Sequence, residues 1–200
     1  FAVCPGNITR NNDPGICGAN VTFLIIANDN CGPTTVSQSH PSGFLFPIGT
    51  TTVTATATDG AGQIATCTFT VTITDNQPPA TPVLPILTGS CSVTAPVPTT
   101  TDNCQAIVIG TTTDPLTYTT QGTHTINWTF TDPNGNSIIV PQTVIVDDNA
   151  GPEITCPANI TVNADPGVCN AVVNFVVTAS DNCAGTITMG YNFAPGSQFP

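Results

Sequence analysis

The sequence predicts an all-β protein made of small antiparallel sandwiches that follow one another along the chain. Helices are disfavoured because 19 Pro and 17 Gly are spread over 200 residues, and both residue types destabilise helix interiors. Val, Ile and Thr, which suit strands, fill the segments between them. The third observation is a sequence repeat that restarts the same strand pattern along the chain.

The charge balance excludes several classes of partner. Arg10 is the one basic residue against twelve acidic residues, which gives a net charge of −11 and an isoelectric point near 4.1. Binding to nucleic acid or to an anionic membrane surface requires basic side chains, so we expect neither. No apolar run reaches the roughly 18 residues of a membrane span, so we expect no direct membrane insertion.

Internal repeats define the expected domains. Residues 4–31 and 156–183 align without a gap, and both contain Cys-Pro, Asn-Ile-Thr, Asp-Pro-Gly and Asp-Asn-Cys. A weaker register aligns Asp59 with Asp132 and Asp75 with Asp148. We therefore predict three repeats, at residues 1–76, 77–149 and 150–200. The third stops at the point that Phe46-Pro47 occupy in the first, so we expect it to be incomplete.

The strand signal within a repeat is a strict alternation of apolar residues and threonine. Residues 66–74 and 51–58 alternate with a period of two, and residues 59–62, Asp-Gly-Ala-Gly, supply a hairpin turn. In the second repeat, residues 126–130 place Ile, Trp and Phe on one face before the turn at residues 132–135. Short strands with this spacing predict sandwiches of the immunoglobulin kind.

Nine cysteines indicate disulfides and therefore an extracellular, cell-surface location. No C-x-x-C pair occurs, and His40 and His124 are remote from the cysteine clusters, so zinc has little support. The amino-terminal residues have no signal-peptide pattern, and we interpret the chain as a segment of a longer secreted polypeptide.

The second repeat suggests which cysteines pair, because it has lost the counterparts of Cys4 and Cys67 together, to Leu84 and Val140. Cysteines lost together are expected to be bonded together. The predicted pairs are Cys4–Cys67, Cys17–Cys31, Cys91–Cys104 and Cys169–Cys183, with Cys156 left without its partner.

The motifs of the first and third repeats resemble those of hyalin repeat (HYR) domains. They are Cys-Pro-x-Asn-Ile-Thr, Asp-Pro-Gly-x-Cys and Asp-Asn-Cys, joined in the first repeat by Phe-Pro-x-Gly-Thr-Thr-x-Val and Ala-Thr-Asp-Gly-Ala-Gly. The middle repeat is similar to repeats of large surface adhesins of gliding flavobacteria. The resemblance implies an immunoglobulin-like fold, an adhesive or spacer role and no catalytic residues. In the bacterial case it also implies gliding motility and type IX secretion.

Acidic residues at the two predicted junctions are candidate calcium ligands. Asp75 lies at the first junction, and Asp147, Asp148 and Glu153 lie at the second. Carboxylate oxygens suit calcium, but solvated turn aspartates explain the same residues, and both interpretations stand. No other cofactor is expected. The aspartates of the three Asp-Asn-Cys motifs are expected to accept backbone N–H bonds in turns; they are Asp29, Asp102 and Asp181.

Enzymatic chemistry has no recognisable motif. Ser39, His40 and Ser42 are neighbours, but no Gly-x-Ser-x-Gly elbow surrounds them. Trp128 is expected in the core, whereas Phe44 could remain exposed for recognition. We therefore expect a non-catalytic stalk segment of a cell-surface adhesin or filament, whose partners are neighbouring repeats and an extracellular surface or glycan. The alternative is a lectin-like module that binds ligands through its loops.

Overall fold

The computed structural model describes residues 1–200, and its regular structure is all β-strand, which confirms the predicted fold class. It contains no helix with the length and apolar character needed to cross a membrane. The chain divides into two compact units, and each is described by itself. One unit comprises Phe1–Leu84, Val97–Thr113 and Asn127–Pro141, and the other comprises Pro85–Pro96, Asp114–Ile126 and Gln142–Pro200.

The first repeat contains eight strands that pair into a sandwich. They are β1 (Ala2–Val3), β2 (Ile8–Asn11), β3 (Gly18–Val21), β4 (Ile26–Ala27), β5 (Thr35–Gln38), β6 (Phe44–Pro47), β7 (Gly49–Thr58) and β8 (Ile64–Thr74). One sheet has the order β2-β8-β7-β5, in which β2 runs parallel to β8 and the other pairs are antiparallel. β3 pairs with β6 and β1 with β4, both antiparallel.

β7 and β8 form the hairpin that the alternating pattern predicts. Val53 lies opposite Phe69, and both side chains are buried. The turn is held by Asp59, whose Oδ1 accepts hydrogen bonds from the backbone N–H groups of Ala61 at 2.9 Å and Gln63 at 2.8 Å. The aspartate therefore fixes the register of the two long strands.

The core of the first repeat lies between the β3–β6 pair and the β7–β8 hairpin. Phe23 covers one side of it and contacts the ring of Phe69 edge-on, at a centroid distance of 4.9 Å. The buried members of the cluster are Ala19, Val21, Phe46, Val53, Phe69, Val71 and Ile73. Apolar faces from two sheets thus enclose one interior, as in a β-sandwich.

The middle repeat contains seven strands. They are β9 (Leu87–Gly89), β10 (Val93–Thr94), β11 (Thr99–Thr100), β12 (Val108–Ile109), β13 (Thr117–Tyr118), β14 (Gly122–Thr131) and β15 (Ser137–Val146). Their sheets are β14-β15-β9, β10-β13 and β11-β12, and β9 runs parallel to the end of β15 as β2 does to β8. β14 and β15 each contribute residues to both compact units, so the three repeats stay a sequence-based prediction.

The alternation predicted for β14 is observed, since Ile126, Trp128 and Phe130 are all buried. Gly110 packs so close to Phe130 that an added Cβ would lie 3.0 Å from its ring. A side chain at this position would therefore force the aromatic ring to move.

The third repeat contains the four strands β16 (Glu153–Thr155), β17 (Ala171–Val173), β18 (Thr178–Ser180) and β19 (Ser197–Phe199). β17 pairs with β19 so that Ala171 lies opposite Phe199, as Ala19 lies opposite Phe46 in the first repeat. The sequence contains no counterpart of β7 and β8 in this repeat. Ile160 in this repeat has 47% of its surface accessible.

Candidate functional sites at the repeat junctions

Three disulfides cross-link the chain, and their closed loops overlap. They join Cys4 to Cys67, Cys17 to Cys104 and Cys91 to Cys183, across 63, 87 and 92 positions of sequence. Cys17 lies inside the loop closed by the first bond, and Cys91 lies inside the loop closed by the second. Covalent loops therefore cover the chain continuously from Cys4 to Cys183.

Cys4–Cys67 is the pair that the sequence predicts, but the other three predicted pairs are wrong. Cys17 bonds to Cys104 instead of Cys31, and Cys183 bonds to Cys91 instead of Cys169. The predicted pair Cys91–Cys104 is consequently absent. The exposed free cysteines are Cys31, Cys156 and Cys169.

The length of a sandwich explains why Cys17 and Cys31 do not pair. β2, which leads to the loop carrying Cys17, ends beside Thr74 at the end of β8. Asp29, close to Cys31, lines a small cavity with Asp59 at the turn before β8 begins. β8 has 11 residues, which corresponds to about 35 Å, whereas bonded cysteines have Cα atoms about 4.4–6.8 Å apart.

The other two incorrect pairs involve cysteines at the same positions of the repeat. Cys91 and Cys104 belong to different compact units. Cys169 and Cys183 occupy the repeat positions of Cys17 and Cys31. In the second and third repeats, the cysteine after Asp-Asn instead bonds to a cysteine in a loop of the preceding repeat.

The first junction is the segment after β8 together with the loop that carries Cys17. Gln77 accepts hydrogen bonds at Oε1 from Asn12 Nδ2 at 3.2 Å and from the Gly15 N–H at 2.9 Å. Asn12 is 7% exposed, and its Oδ1 accepts from the Asn76 N–H at 3.3 Å. The segment after β8 is thus hydrogen-bonded to the Cys17 loop twice, through the Gln77 side chain and through the Asn76 backbone N–H.

Two carboxylates meet at this junction. Asp75 is 8% exposed and accepts hydrogen bonds from the Gln77 N–H and from Asn134 Nδ2, each at 3.1 Å. Asp102 accepts from the Cys104 N–H at 2.9 Å, while its Oδ1 is buried without a hydrogen-bond partner. A ligand atom from each of Asp75, Asp102 and Cys104 lies within 4.8 Å of the others. Because the sulfur is in a disulfide and cannot act as a thiolate, only the carboxylates offer metal ligands.

The second junction has the same plan. Asp148, Asp181 and Cys183 also have ligand atoms within 4.8 Å of one another. Asp148 Oδ1 accepts from the Ala150 N–H at 3.1 Å and from Asn182 Nδ2 at 3.4 Å. The Asp181 carboxylate accepts from the Cys183 N–H at 2.9 Å.

Of the four predicted calcium ligands, Asp75 and Asp148 lie in these groups. Asp147 is exposed and accepts from Asn149 Nδ2 at 3.3 Å, and Glu153 is exposed on β16 opposite Ser180. Neither belongs to the second group. Asp29, Asp102 and Asp181 accept the predicted hydrogen bonds in their turns. Asp102 and Asp181 also lie near an acid of the preceding repeat, which the sequence did not predict. The signal in the sequence for this role was the recurrence of the Asp-Asn-Cys motif in each repeat.

Ser39, His40 and Ser42 have structural contacts. Ser39 Oγ lies 3.1 Å from His40 Nδ1 and accepts from the Thr54 N–H at 3.0 Å. Ser42 Oγ accepts from the Phe23 N–H at 2.8 Å. These hydroxyls therefore hold the chain around β6 in place.

The aromatic residues divide as the alternation suggests. Trp128 is buried, and Phe44 is 37% exposed. Tyr118 stacks on His124 at a centroid distance of 4.7 Å. Partial burial of the phenol, followed by the negative charge of Asp114, raises the pKa of Tyr118 above its ordinary value.

The motifs and the sandwich of the first repeat agree with a family match. Residues 1–73 match the HYR domain model. Hyalin of Strongylocentrotus purpuratus is 32% identical over 99% of the chain, and hyalin of Lytechinus variegatus is 35% identical over 97%. The chain spans 18% and 40% of the lengths of these two proteins. It is also 29% identical, over 97% of its length, to the sushi, von Willebrand factor type A, EGF and pentraxin domain-containing protein 1 of Rattus norvegicus, of which it spans 6%.

Solved structures give a looser likeness. The extracellular cadherin domains 3–6 of protocadherin gamma B2 are 15% identical to the chain, with a TM-score of 0.36. The match covers 90% of this chain and 55% of the protocadherin chain. The match to the HYR domain and the similarity to hyalin are similarities to animal proteins. These relatives give no support to a bacterial gliding adhesin.

Proposed function

We propose that the chain is a non-catalytic extracellular spacer, a segment of an adhesive or matrix protein that transmits force between its ends. The similarity to hyalin and the match to a non-enzymatic domain type support this proposal. The disulfides support an oxidising, extracellular location. Adhesion at a cell surface is the finer form of the same proposal.

The observation that carries the proposal is the overlap of the three disulfide loops. A fully reduced chain of 200 residues can be pulled to about 700 Å. With the disulfides intact, the shortest covalent route from Phe1 to Pro200 passes through Cys4–Cys67 and Cys91–Cys183. This route includes about 45 residues and reaches about 160 Å. A spacer built in this way cannot lengthen far even when its sandwiches unfold.

Single-molecule pulling from both ends tests the proposal. The oxidised chain should stop extending near ~160 Å, and the reduced chain near ~700 Å. Replacing Cys91 and Cys183 by Ser opens the longest loop, so the remaining route should reach about 390 Å. An oxidised chain that extends as far as the reduced chain would contradict the spacer proposal.

The overlap also supplies a matched control. Replacing Cys4 and Cys67 by Ser leaves a route through Cys17–Cys104 and Cys91–Cys183 that is also about 45 residues long. The limiting extension should therefore stay near ~160 Å. A large increase in this variant would show that the loops do not overlap as described.

We also propose that calcium stiffens the junctions. The buried, unpartnered Oδ1 of Asp102 beside Asp75 supports it, because a buried carboxylate oxygen without a hydrogen bond or a cation is costly. Melting in calcium and in chelator tests this idea, with Asp102→Asn as the variant and Asp147→Asn as the matched control outside the groups. Calcium should raise the melting temperature of the native chain and of D147N by the same amount, and that of D102N by less, because D102N keeps only the second acidic group. An unchanged midpoint in the native chain contradicts the calcium proposal and leaves the spacer proposal standing.

A further inference from the structure

Two of the disulfides follow one rule of pairing. Cys17 and Cys91 stand at equivalent positions of the first and second repeats, and Cys104 and Cys183 follow Asp-Asn in the second and third. Each bond joins the first kind of cysteine to the second kind in the next repeat. The Cα atoms of the bonded residues lie 4.7 Å and 5.0 Å apart.

The free Cys31 has the same local structure as the bonded cysteines that follow Asp-Asn. Its N–H donates to the Asp29 carboxylate at 3.0 Å, and the N–H groups of Cys104 and Cys183 donate to their own aspartates at 2.9 Å. Cys31 is exposed. Its thiol is therefore presented on the turn that carries the bonded sulfur in the other two repeats.

The free Cys169 has the same local structure as Cys17. The Asp165 N–H donates to the Asn170 carbonyl at 2.8 Å, as the Asp13 N–H donates to the Gly18 carbonyl at 2.7 Å. Cys169 is exposed as well. The loop that carries the first kind of cysteine is thus formed whether or not its partner is present.

We propose that Cys31 and Cys169 are complementary open ends of a disulfide ladder. Cys169 bonds to a thiol that follows Asp-Asn, and Cys31 bonds to a thiol of the kind represented by Cys17. The adjacent repeat is supplied either by the same polypeptide or by a second copy of this chain, head to tail. This proposal rests on the pairing pattern and holds whether or not the protein bears force.

The bond forms by thiol–disulfide exchange, with glutathione disulfide as the oxidant. The Cys169 thiolate attacks one sulfur of glutathione disulfide, forms a mixed disulfide and releases one glutathione thiolate. The partner thiolate then attacks the Cys169 sulfur of the mixed disulfide and releases the second glutathione. The two cysteines lose two electrons in total, and the glutathione disulfide gains them.

Mixed oxidation of two variants tests the proposal. Cys31→Ser keeps only the Cys169 end and Cys169→Ser keeps only the Cys31 end, both in a Cys156→Ser background. Each variant is oxidised alone and as an equal mixture in a glutathione redox buffer, then alkylated and weighed by mass spectrometry. The mixture should yield a dimer of twice the 20.4 kDa chain mass, joined by a Cys31–Cys169 peptide, and each variant alone should remain monomeric.

Two results overturn the proposal. Equal dimer formation by a single variant and by the mixture means that the exposed thiols pair at random. A mixture that stays monomeric means that the two ends do not recognise each other. Cys156→Ser alone serves as the control and should still form head-to-tail multimers.

The source of the adjacent repeat is read from the protein isolated from its organism. Digestion without reduction identifies the peptides bonded to Cys31 and Cys169. If reduction leaves the mass of the intact protein unchanged, apart from the added hydrogens, the partner repeats belong to the same polypeptide. If reduction lowers the mass to that of one chain, they belong to another copy. Recovery of both cysteines as free thiols overturns the proposal.

Discussion

Removing the Cys17–Cys104 bond should cost a large part of the stability of the compact unit that contains it. The bond spans 87 positions, but Cys4–Cys67 already shortens the route between its ends to about 50 residues in the unfolded chain. In the chain-entropy account, closing a loop of that length is worth about 4 kcal/mol. The double variant Cys17→Ser, Cys104→Ser should lose this amount of unfolding free energy.

Urea unfolding followed by Trp128 fluorescence is the appropriate assay. Trp128 is the one tryptophan of the chain and belongs to the same compact unit as both cysteines. For a slope of about 2 kcal/mol per molar urea, the midpoint should fall by about 2 M. Cys31→Ser is the matched control, because Cys31 is exposed and unbonded, and should change the free energy by less than about 0.5 kcal/mol. A double variant within that range of the native chain refutes the reasoning.

Three further predictions concern the core, a turn and a tyrosine. Phe69→Ala should cost about 3–5 kcal/mol in urea unfolding, because Phe69 is 2% exposed and packs against Phe23; a cost below about 1 kcal/mol contradicts the core assignment. Asp132→Ala should cost about 1–3 kcal/mol by the same assay, because Asp132 is 5% exposed and caps two backbone N–H groups of its turn; an unchanged midpoint refutes this. Burial of Tyr118 and the charge of Asp114 raise its pKa, so folding favours the neutral phenol. This contribution is present at neutral pH and is lost as the pH rises through the raised pKa, which phenolate absorbance of the folded and unfolded chains should show as a higher midpoint in the folded chain.

The hairpins were predictable because their signal is local. Threonine alternates with apolar residues along β7 and β8. Asp59 begins the turn between them, and its carboxylate accepts hydrogen bonds from two backbone N–H groups only two and four residues away. The parallel pairing of β2 with β8 was not predictable in this way. It joins Ile8 to Val71 across most of the repeat, and no periodicity within either strand specifies the partner.

The acidic groups show the same limit. The linker position of Asp75 and Asp148 was evident from the repeat, and so was the turn role of Asp102 and Asp181. Their meeting depends on how one repeat follows the next, and the strand pattern of a single repeat contains no information about that. Glu153 is near Asp148 in sequence, but its position on β16 places it opposite Ser180 instead.

The disulfides show why counting cysteines was only partly sufficient. Joint loss identifies Cys4 and Cys67 as a pair because one repeat lacks both positions. Each repeat contains both a cysteine equivalent to Cys17 and a cysteine that follows Asp-Asn. Pairing within a repeat and pairing between successive repeats therefore agree equally well with the number of cysteines in each repeat. Strand length separates the two possibilities, because a sandwich about 35 Å long keeps Cys17 and Cys31 at opposite ends. A cysteine at each end of a long repeat is therefore better placed to bond with a neighbour than with its own partner, and this favours a ladder over isolated loops.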